Sequence, residues 1–396
     1  MEKQTTIAFV LIGAILMVWL YLNSPNTPPA KQKKQEIVKN IDSIKIDEVK
    51  KEETKEISVQ KDSVSLGSFF SSAPLPEKII RIENDEAVIE LSTKGGKITR
   101  YFLKKYNNWQ YKKTSNEKPY YEKNVQLLNY SKGSSFDLAF ITSEGKAVST
   151  ADLSFISSSV SVVKLSGKDS LTISFLYNTS NKGYIKKNFT FYGDRYDTRF
   201  TVEFSKLNKI VTNGMYDVVW SSGLRFVEEN SVDEAAAANA SVFSGGEQII
   251  VDAPSGGEKI EKDFSGKIDW LTIRNKYFAA IIAPESSENV EGAYIKGNNH
   301  HWQNGGIREF YSARLKMKMN ASETTSESFL VYLGPVSYDL FKHYGKNFDK
   351  IIDFGGFIGL KVIVRPIAEY LMLPLFKFLH LFIPNRLKII LIFPQG

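Results

Sequence analysis

Short segments in which apolar and polar residues alternate are the feature that most limits how this chain can fold. The clearest segment has one face made of Tyr196, Thr198, Phe200, Val202 and Phe204 and an opposite face made of Asp197, Arg199, Thr201 and Glu203. Because side chains alternate across a strand, the first face predicts core and the second predicts solvent. Residues 87–91, 171–177 and 185–191 alternate too, Gly95-Gly96 is a hairpin signal, and no long helical pattern is interleaved. We therefore predict a mainly β fold, a large antiparallel β-sandwich, over residues 76–338.

The amino-terminal part predicts a membrane anchor followed by a tether. Residues 7–22 contain no charge and approach the ~20 apolar residues that cross a bilayer. Trp19 and Tyr21 suit the interfacial aromatic belt, and no small-residue cleavage site follows, so an uncleaved transmembrane helix at 1–23 is favoured over a cleaved signal peptide. Residues 24–75 are rich in Pro, Lys, Glu, Asp, Ser and Thr. That composition predicts a flexible charged linker.

The carboxy-terminal part changes to a helical period. Residues 339–385 predict amphipathic helices, broken at Gly355-Gly356 and bent by Pro366 and Pro374. Their polar groups project to one side, which favours a helix lying in the membrane interface over a kinked transmembrane span, the alternative. The residues expected to meet the membrane interface are Lys361, Arg365 and Lys377. From residue 360 onward five basic residues stand against Glu369 alone, a pattern that favours an anionic membrane surface over nucleic acid.

Chemical motifs are sparse along the sequence. The chain has no cysteine and only four histidines, none of them four residues apart, which argues against thiolate and histidine metal sites. Neither a nucleophile elbow nor a phosphate-binding glycine loop occurs. His300 and His301 are candidates for a sugar or metal pocket, although neighbours on a strand point to opposite faces. We therefore expect no catalytic, cofactor-binding or metal-binding residues, no cofactor, and a protein that is not an enzyme.

The order of these parts and several local segments resemble the YidC-type insertases, the Gram-negative branch of the YidC/Oxa/Alb family. The segments that carry the resemblance are residues 9–25, 88–98, 270–280, 332–335 and 351–355. The resemblance implies a membrane protein insertase of the inner membrane, with its amino terminus in the cytoplasm and a periplasmic β-supersandwich. It also implies nascent inner-membrane proteins, the Sec translocon with its accessory subunits, and the lipid bilayer as partners, and no nucleic acid.

The sequence departs from the family after Asn385. There the family continues into five core membrane helices, whereas residues 386–396 read differently, so we expect them to be a truncated start of that core. Most of the insertase core would then be lacking, and ribosome contact would occur only through that missing core. The alternative function is a membrane-anchored periplasmic binding or scaffold domain that contacts a partner protein or a glycan.

Overall fold

The computed structural model describes residues 69, 75–113, 119–128, 135–303, 305–353 and 365–382. The predicted anchor at 1–23, nearly all of the predicted linker, Lys361 and residues 386–396 lie outside these ranges. The strands are β1 (Ile79–Glu83), β2 (Ala87–Ser92), β3 (Lys97–Asn107), β4 (Asn124–Gln126), β5 (Ser135–Thr142), β6 (Ala147–Ser149), β7 (Val162–Lys164), β8 (Ser170–Asn178), β9 (Tyr184–Tyr192), β10 (Asp197–Ser205), β11 (Val211–Trp220), β12 (Asn239–Ser244), β13 (Glu247–Val251), β14 (Lys259–Ser265), β15 (Trp270–Arg274), β16 (Phe278–Pro284), β17 (Val290–His301), β18 (Ile307–Lys318) and β19 (Thr324–Pro335). The helices are α1 (Tyr120–Lys123), α2 (Ser231–Ala235), α3 (Tyr338–Tyr344) and α4 (Leu373–Phe382), with 3₁₀ turns at Trp109–Lys113, Thr150–Asp152 and Phe348–Ile351 and a π-helical turn at Ala368–Met372.

These strands form three sheets. An eight-stranded sheet has the order β13-β12-β15-β16-β19-β10-β9-β8, and a six-stranded sheet has the order β14-β17-β18-β11-β5-β6. A five-stranded sheet, β4-β3-β2-β1-β7, is antiparallel except where β7 runs parallel to β1. The prediction of a mainly β, antiparallel architecture is therefore confirmed.

Aromatic side chains join the two larger sheets. The Phe136 ring on β5 lies 5.3 Å from Phe200 on β10 and 5.2 Å from Trp220 on β11, measured between ring centroids. Phe189 on β9 stacks on Phe200 at 4.7 Å. Each of these residues lies on the inward face of its strand, where burying a large aromatic side chain contributes most to folding.

The strands and the turn that the sequence predicts most clearly are present. In β10, Thr198, Phe200, Val202 and Phe204 are all buried, as the alternation predicts. Asp197, predicted to face solvent, is buried instead because Arg195 and Tyr344 donate hydrogen bonds to its carboxylate. The β2–β3 hairpin turns at Gly95 and Gly96, both with positive φ, which glycine adopts without strain.

Two local predictions are wrong. The alanine-rich sequence of residues 231–246 predicts a loop, or a short helix over the alanine run, but α2 ends at Ala235 and Asn239–Ser244 forms β12, which pairs on both sides with β13 and β15. The sheet overrides the weak local propensity of this alanine-rich stretch. The helix predicted through residues 340–352 ends at Tyr344, because Gly345, Lys346 and Asn347 take positive φ and a 3₁₀ turn follows.

The side chain of Lys187 lies inside the core. Lys187 on β9 is fully buried, and its Nζ donates to the Gly95 and Phe136 carbonyl oxygens at 2.8 and 2.9 Å and to Thr150 Oγ1 at 2.9 Å. Burial lowers the pKa of Lys187 to about 7. The lysine thus connects the β2–β3 turn, β5 and the Thr150–Asp152 turn from the middle of the molecule.

An aromatic residue from the range predicted as linker also packs in the core. Phe69 is fully buried, stacks on Tyr177 at 5.8 Å and meets the Phe140 ring edge-on at 5.1 Å. The Tyr177 hydroxyl donates a hydrogen bond to the Phe69 carbonyl oxygen at 2.8 Å. Phe69 therefore fixes the chain to the body of the protein ahead of β1.

Candidate functional site

The strongest candidate for a functional site is the junction where the chain leaves the sheets for its carboxy-terminal helix. We call it the C-terminal junction, and it consists of α3, the Phe348–Ile351 turn and the helical residues 365–382. It follows directly from Pro335, the last residue of β19, which is a central strand of the eight-stranded sheet. The strand and the junction are therefore one continuous piece of chain.

Aromatic packing holds α3 against the eight-stranded sheet. Phe341 and Phe348 are fully buried, and Phe341 lies 5.4 Å from Tyr332 on β19. The Tyr344 hydroxyl donates to Asp197 Oδ1 at 2.6 Å, and Arg195 Nε donates to the same oxygen at 2.7 Å. Burial and the Asp197 charge raise the pKa of Tyr344, so the phenol stays protonated and keeps donating.

The turn after α3 is fixed to β15 by two buried donors. The Trp270 indole Nε1 donates to the Lys346 carbonyl oxygen at 2.9 Å, and Arg274 Nη1 donates to the Ile351 carbonyl oxygen at 2.8 Å. Burial lowers the pKa of Arg274 to about 10, so this guanidinium is still charged at neutral pH. Charge-assisted bonds of this kind are about twice as strong as neutral ones, and they give the turn a fixed position.

Asp349 is the carboxylate at the centre of the junction. It is buried, and its Oδ2 lies 2.7 Å from Arg365 Nη2 and 3.2 Å from Lys342 Nζ. Arg365 also donates to the Asp349 carbonyl oxygen at 3.1 Å, and its Nε lies 2.7 Å from Glu369 Oε1 one turn along the helix. The start of the described helix is therefore held by charged groups to the turn that follows α3.

Nearer its other end, the same helix forms an ion pair with α3. Lys377 Nζ lies 2.6 Å from Asp339 Oδ1, and both side chains are more than half exposed. Solvent screens such a pair, so it contributes at most about 1 kcal/mol. Together with the Arg365 pair it shows that the basic side chains of the helix meet α3 and the turn after it.

The helix also presents large apolar side chains to its surroundings. Tyr370 is 80% exposed and Leu371 is 61% exposed. The other exposed apolar residues of the helix are Ile367, Met372, Leu375 and Phe378. A surface helix of a water-soluble domain normally buries its apolar face and exposes its charges. Here large apolar side chains are exposed while Arg365 is only 25% exposed, which suits a helix whose outer surroundings are apolar.

The helix changes its winding before Pro374. The π-helical turn at Ala368–Met372 precedes α4, and the Leu373 N–H donates five residues back to the Ala368 carbonyl oxygen. A proline inside a regular α-helix collides with the carbonyl group four residues earlier and removes one hydrogen bond. The wider π turn relieves that collision, so the interruption that the sequence predicts at Pro374 takes this form.

The residues that the sequence singles out lie at different places. Arg365 and Lys377 are both in the C-terminal junction, where they pair with Asp349 and Asp339, and Lys361 lies outside the described residues. His300 and His301 are exposed at the end of β17, where His301 Nε2 lies 2.6 Å from the Ser255 carbonyl oxygen. Among the described residues, no group of three His, Asp or Glu side chains is arranged to hold a metal ion.

Asp339 and Asp349 are the junction residues that sequence reasoning missed. Nothing in the pattern around either residue marks it, since each acts on a partner in another helix.

Within the described ranges, none of the helices combines the length and the apolar character needed to cross a bilayer.

Replacing Tyr344 with phenylalanine tests the anchoring of α3. We expect Tyr344→Phe to lower the free energy of unfolding by about 1.5–3 kcal/mol, because a hydrogen bond to the buried Asp197 carboxylate is lost without loss of the ring. Denaturant unfolding of the full chain in detergent measures this change. Tyr294→Phe is the matched control, since the Tyr294 hydroxyl donates to the exposed Glu261, and it is expected to change stability by less than about 0.5 kcal/mol. Equal effects of the two substitutions would contradict the anchoring role.

A family model and individual relatives match this chain to the same family. Residues 79–370 match the family described as the YidC periplasmic domain. The chain is 31% identical over 398 residues to the membrane protein insertase YidC of Chlorobium luteolum, and 32% identical over 399 residues to that of Chloroherpeton thalassium. Each alignment covers 99% of this chain and 64% of the relative. The chain therefore spans less than two thirds of the length of these relatives.

Solved structures show a weaker likeness. The alpha-N-acetylgalactosaminidase NagBb from Bifidobacterium bifidum, in complex with GalNAc, aligns with a TM-score of 0.41 at 8% sequence identity. The alignment covers 67% of this chain and 38% of that enzyme.

Proposed function

The chain belongs to the YidC periplasmic domain family, and from this premise we propose that it is the membrane-anchored periplasmic part of a membrane protein insertase. In this role it serves the insertion, folding and assembly of integral inner-membrane proteins, alone or with the Sec translocon. The amino terminus would lie in the cytoplasm and the sandwich, a β-supersandwich, in the periplasm. The protein acts without catalysing a covalent reaction.

The orientation of the carboxy-terminal helix is the observation that carries this proposal. Its charged groups meet Asp339 and Asp349 of the junction elements that pack on the sheets, and most of its large apolar side chains are exposed. Fully burying one large apolar side chain contributes about 1.5–3 kcal/mol, so half-burying the six exposed ones in lipid contributes about 4.5–9 kcal/mol. The helix would therefore rest on the periplasmic leaflet while the ion pairs hold the sandwich to it.

This arrangement has a mechanical consequence for insertion. The sandwich, α3 and the helix form one connected unit through Asp349, Trp270 and Arg274. Such a unit fixes the height and direction at which the chain approaches the membrane. In an insertase it would position the membrane helices that receive the nascent chain.

A chimera tests the proposal in cells. Residues 1–382 of this chain replace the matched part of the Chloroherpeton thalassium insertase, and the product is expressed in cells depleted of their own insertase. We expect growth and membrane insertion of a reporter protein. The triple substitution Ile367→Ser, Leu371→Ser and Leu375→Ser is expected to lower insertion at least about tenfold, because each change removes on the order of 1 kcal/mol of membrane affinity.

A matched triple substitution controls for surface changes in general. Ile156→Ser, Val160→Ser and Val162→Ser remove three exposed apolar side chains from the sandwich and are expected to leave insertion unchanged. A helix triple variant as active as its parent would contradict the proposal. A correctly folded, membrane-bound chimera that inserts nothing would instead favour the second function, an anchored scaffold for a partner protein or a glycan.

A further inference from the structure

A polar cleft lies beside the C-terminal junction. It has a volume of about 140 Å³ and is bounded by the Trp109–Lys113 turn, α1, β4 and residues 225–227. Trp109 is 37% exposed and Tyr121 is 57% exposed, although tryptophan and tyrosine usually bury most of their surface. Both aromatic side chains line the cleft, together with the Arg225 side chain and four amide side chains.

Two amide side chains in the cleft wall each have one polar atom without a hydrogen-bond partner in the described part of the chain. Asn108 Oδ1 and Gln126 Nε2 are buried and make no hydrogen bond within the described part of the chain. Their orientations are fixed, since Asn108 Nδ2 donates to the Glu122 carbonyl oxygen and Arg225 Nη1 donates to Gln126 Oε1 at 2.6 Å. The cleft therefore offers one hydrogen-bond acceptor and one donor, the donor close to a guanidinium group.

The cleft and the C-terminal junction share one turn of the chain. Asn275 Nδ2, in the β15–β16 turn, donates to the Arg225 carbonyl oxygen at 3.0 Å. The preceding residue, Arg274, donates to the Ile351 carbonyl oxygen of the junction. Tyr106, at the end of β3 next to the cleft, meets the Phe278 ring edge-on at 5.3 Å. The cleft thus opens at the end of the sandwich from which the carboxy-terminal helix departs.

The sequence around the cleft is basic. Residues 104–132 contain seven lysines and two glutamates, five of the chain's net charge of +7. Lys104 and Lys105 pair with Glu83 and Glu86, and Arg225 places a positive charge in the cleft itself. A cleft that combines an arginine with exposed tryptophan and tyrosine, beside a membrane-directed helix, complements an anionic bilayer surface.

We propose, building on the function proposed above, that this cleft binds the headgroup of an anionic phospholipid with a free hydroxyl, such as phosphatidylglycerol. Arg225 and Gln126 Nε2 donate to the phosphate oxygens, and Asn108 Oδ1 accepts from the headgroup hydroxyl. Trp109 and Tyr121 lie at the level of the headgroups, where amphipathic rings are favoured. The sandwich would then have a second contact with the membrane, independent of the helix.

Quenching of Trp109 fluorescence tests the second contact. The full chain with Trp19→Phe and Trp302→Phe keeps Trp109 and the buried Trp220 and Trp270, and a further Trp109→Phe variant gives the background. The protein is reconstituted in vesicles of phosphatidylcholine with or without phosphatidylglycerol, containing lipids brominated close to the headgroup. We expect Trp109 to be quenched when phosphatidylglycerol is present, and Arg225→Ala to weaken the effect about fivefold. Arg314→Ala, which removes a half-exposed arginine of β18, is expected to change nothing.

A Tyr370→Trp variant separates this inference from the proposed function. Quenching at position 370 without quenching of Trp109 would overturn the second contact and leave the helix on the membrane. Lack of quenching at both positions would overturn both proposals. Saturation of the Trp109 signal by soluble glycerol phosphate or by a soluble glycan, with no effect of vesicles, would also overturn the lipid assignment.

Discussion

Replacing Lys187 with methionine is expected to lower the free energy of unfolding at pH 9 by about 2–4 kcal/mol. Methionine fills a similar volume, so little cavity forms, but the Gly95 and Phe136 carbonyl oxygens lose their buried donor. Denaturant unfolding of the full chain in detergent, followed by tryptophan fluorescence, measures the loss.

The pH dependence of stability should change with the same substitution. The pKa of Lys187 is about 7 in the folded protein, whereas the same amine exposed to water in the unfolded chain has a pKa of 10.5. Between these two pH values the unfolded chain binds a proton at Lys187 that the folded protein does not bind. The free energy of unfolding of the parent therefore rises with pH in this window, by up to about 1.4 kcal/mol per unit from this group. In the Lys187→Met variant that contribution is lost, so its deficit narrows as the pH falls from 9 towards 7.

Lys186→Met is the matched control for both effects. Lys186 is the preceding residue on β9 and points to the other, half-exposed face. Its substitution should change stability by less than about 0.5 kcal/mol and leave the pH profile of the parent intact. Parallel pH profiles for the parent and Lys187→Met would show that the buried amine does not titrate as described.

Replacing Asp349 with asparagine is expected to loosen the carboxy-terminal helix from the sandwich. The substitution keeps the shape of the side chain but removes the charge shared by Arg365 and Lys342. Breaking a buried ion pair costs about 3–5 kcal/mol, and partial exposure of both cations reduces this to about 2–3 kcal/mol. Backbone amides of residues 365–378 should then exchange with solvent on the order of 30- to 100-fold faster in hydrogen exchange mass spectrometry.

Asp339→Asn provides the comparison for Asp349→Asn. It removes the same charge from the exposed pair with Lys377, for which solvent screening leaves at most about 1 kcal/mol. Exchange in the helix should rise by no more than about fivefold, and exchange in β10 should stay unchanged in both variants. If the two substitutions loosened the helix equally, Asp349 would not be the residue that holds it.

The strands were predictable where one face is apolar and the other polar. The alternation in β9 and β10 and the Gly95-Gly96 turn each reflect local rules, and the structure confirms them. The same rule put Lys187 on the inner face of β9, but its acceptors lie 92, 51 and 37 residues away in sequence. No local pattern reveals partners at that separation.

The same difference between local and distant interactions applies to the C-terminal junction. Helical periodicity predicts an amphipathic segment, and Pro374 predicts its interruption, because both depend on neighbours within about four residues. The pairing of Arg365 with Asp349 and of Lys377 with Asp339 joins separate helices and depends on how they pack. The sequence does not reveal the cleft beside the junction either, since its walls come from residues 108–110, 121, 124–126 and 225–227, which are distant in sequence.

The most direct test of the account is the depth of the carboxy-terminal helix in a bilayer. The chain contains no cysteine, so Leu371→Cys, Leu375→Cys and Lys350→Cys each accept a single nitroxide label. Electron paramagnetic resonance of the full chain in vesicles then compares collision with oxygen and with a water-soluble nickel complex. We predict that labels at positions 371 and 375 collide mainly with oxygen and that a label at position 350 collides mainly with nickel. Labels at 371 and 375 as accessible to nickel as the label at 350 would contradict a membrane-embedded apolar face.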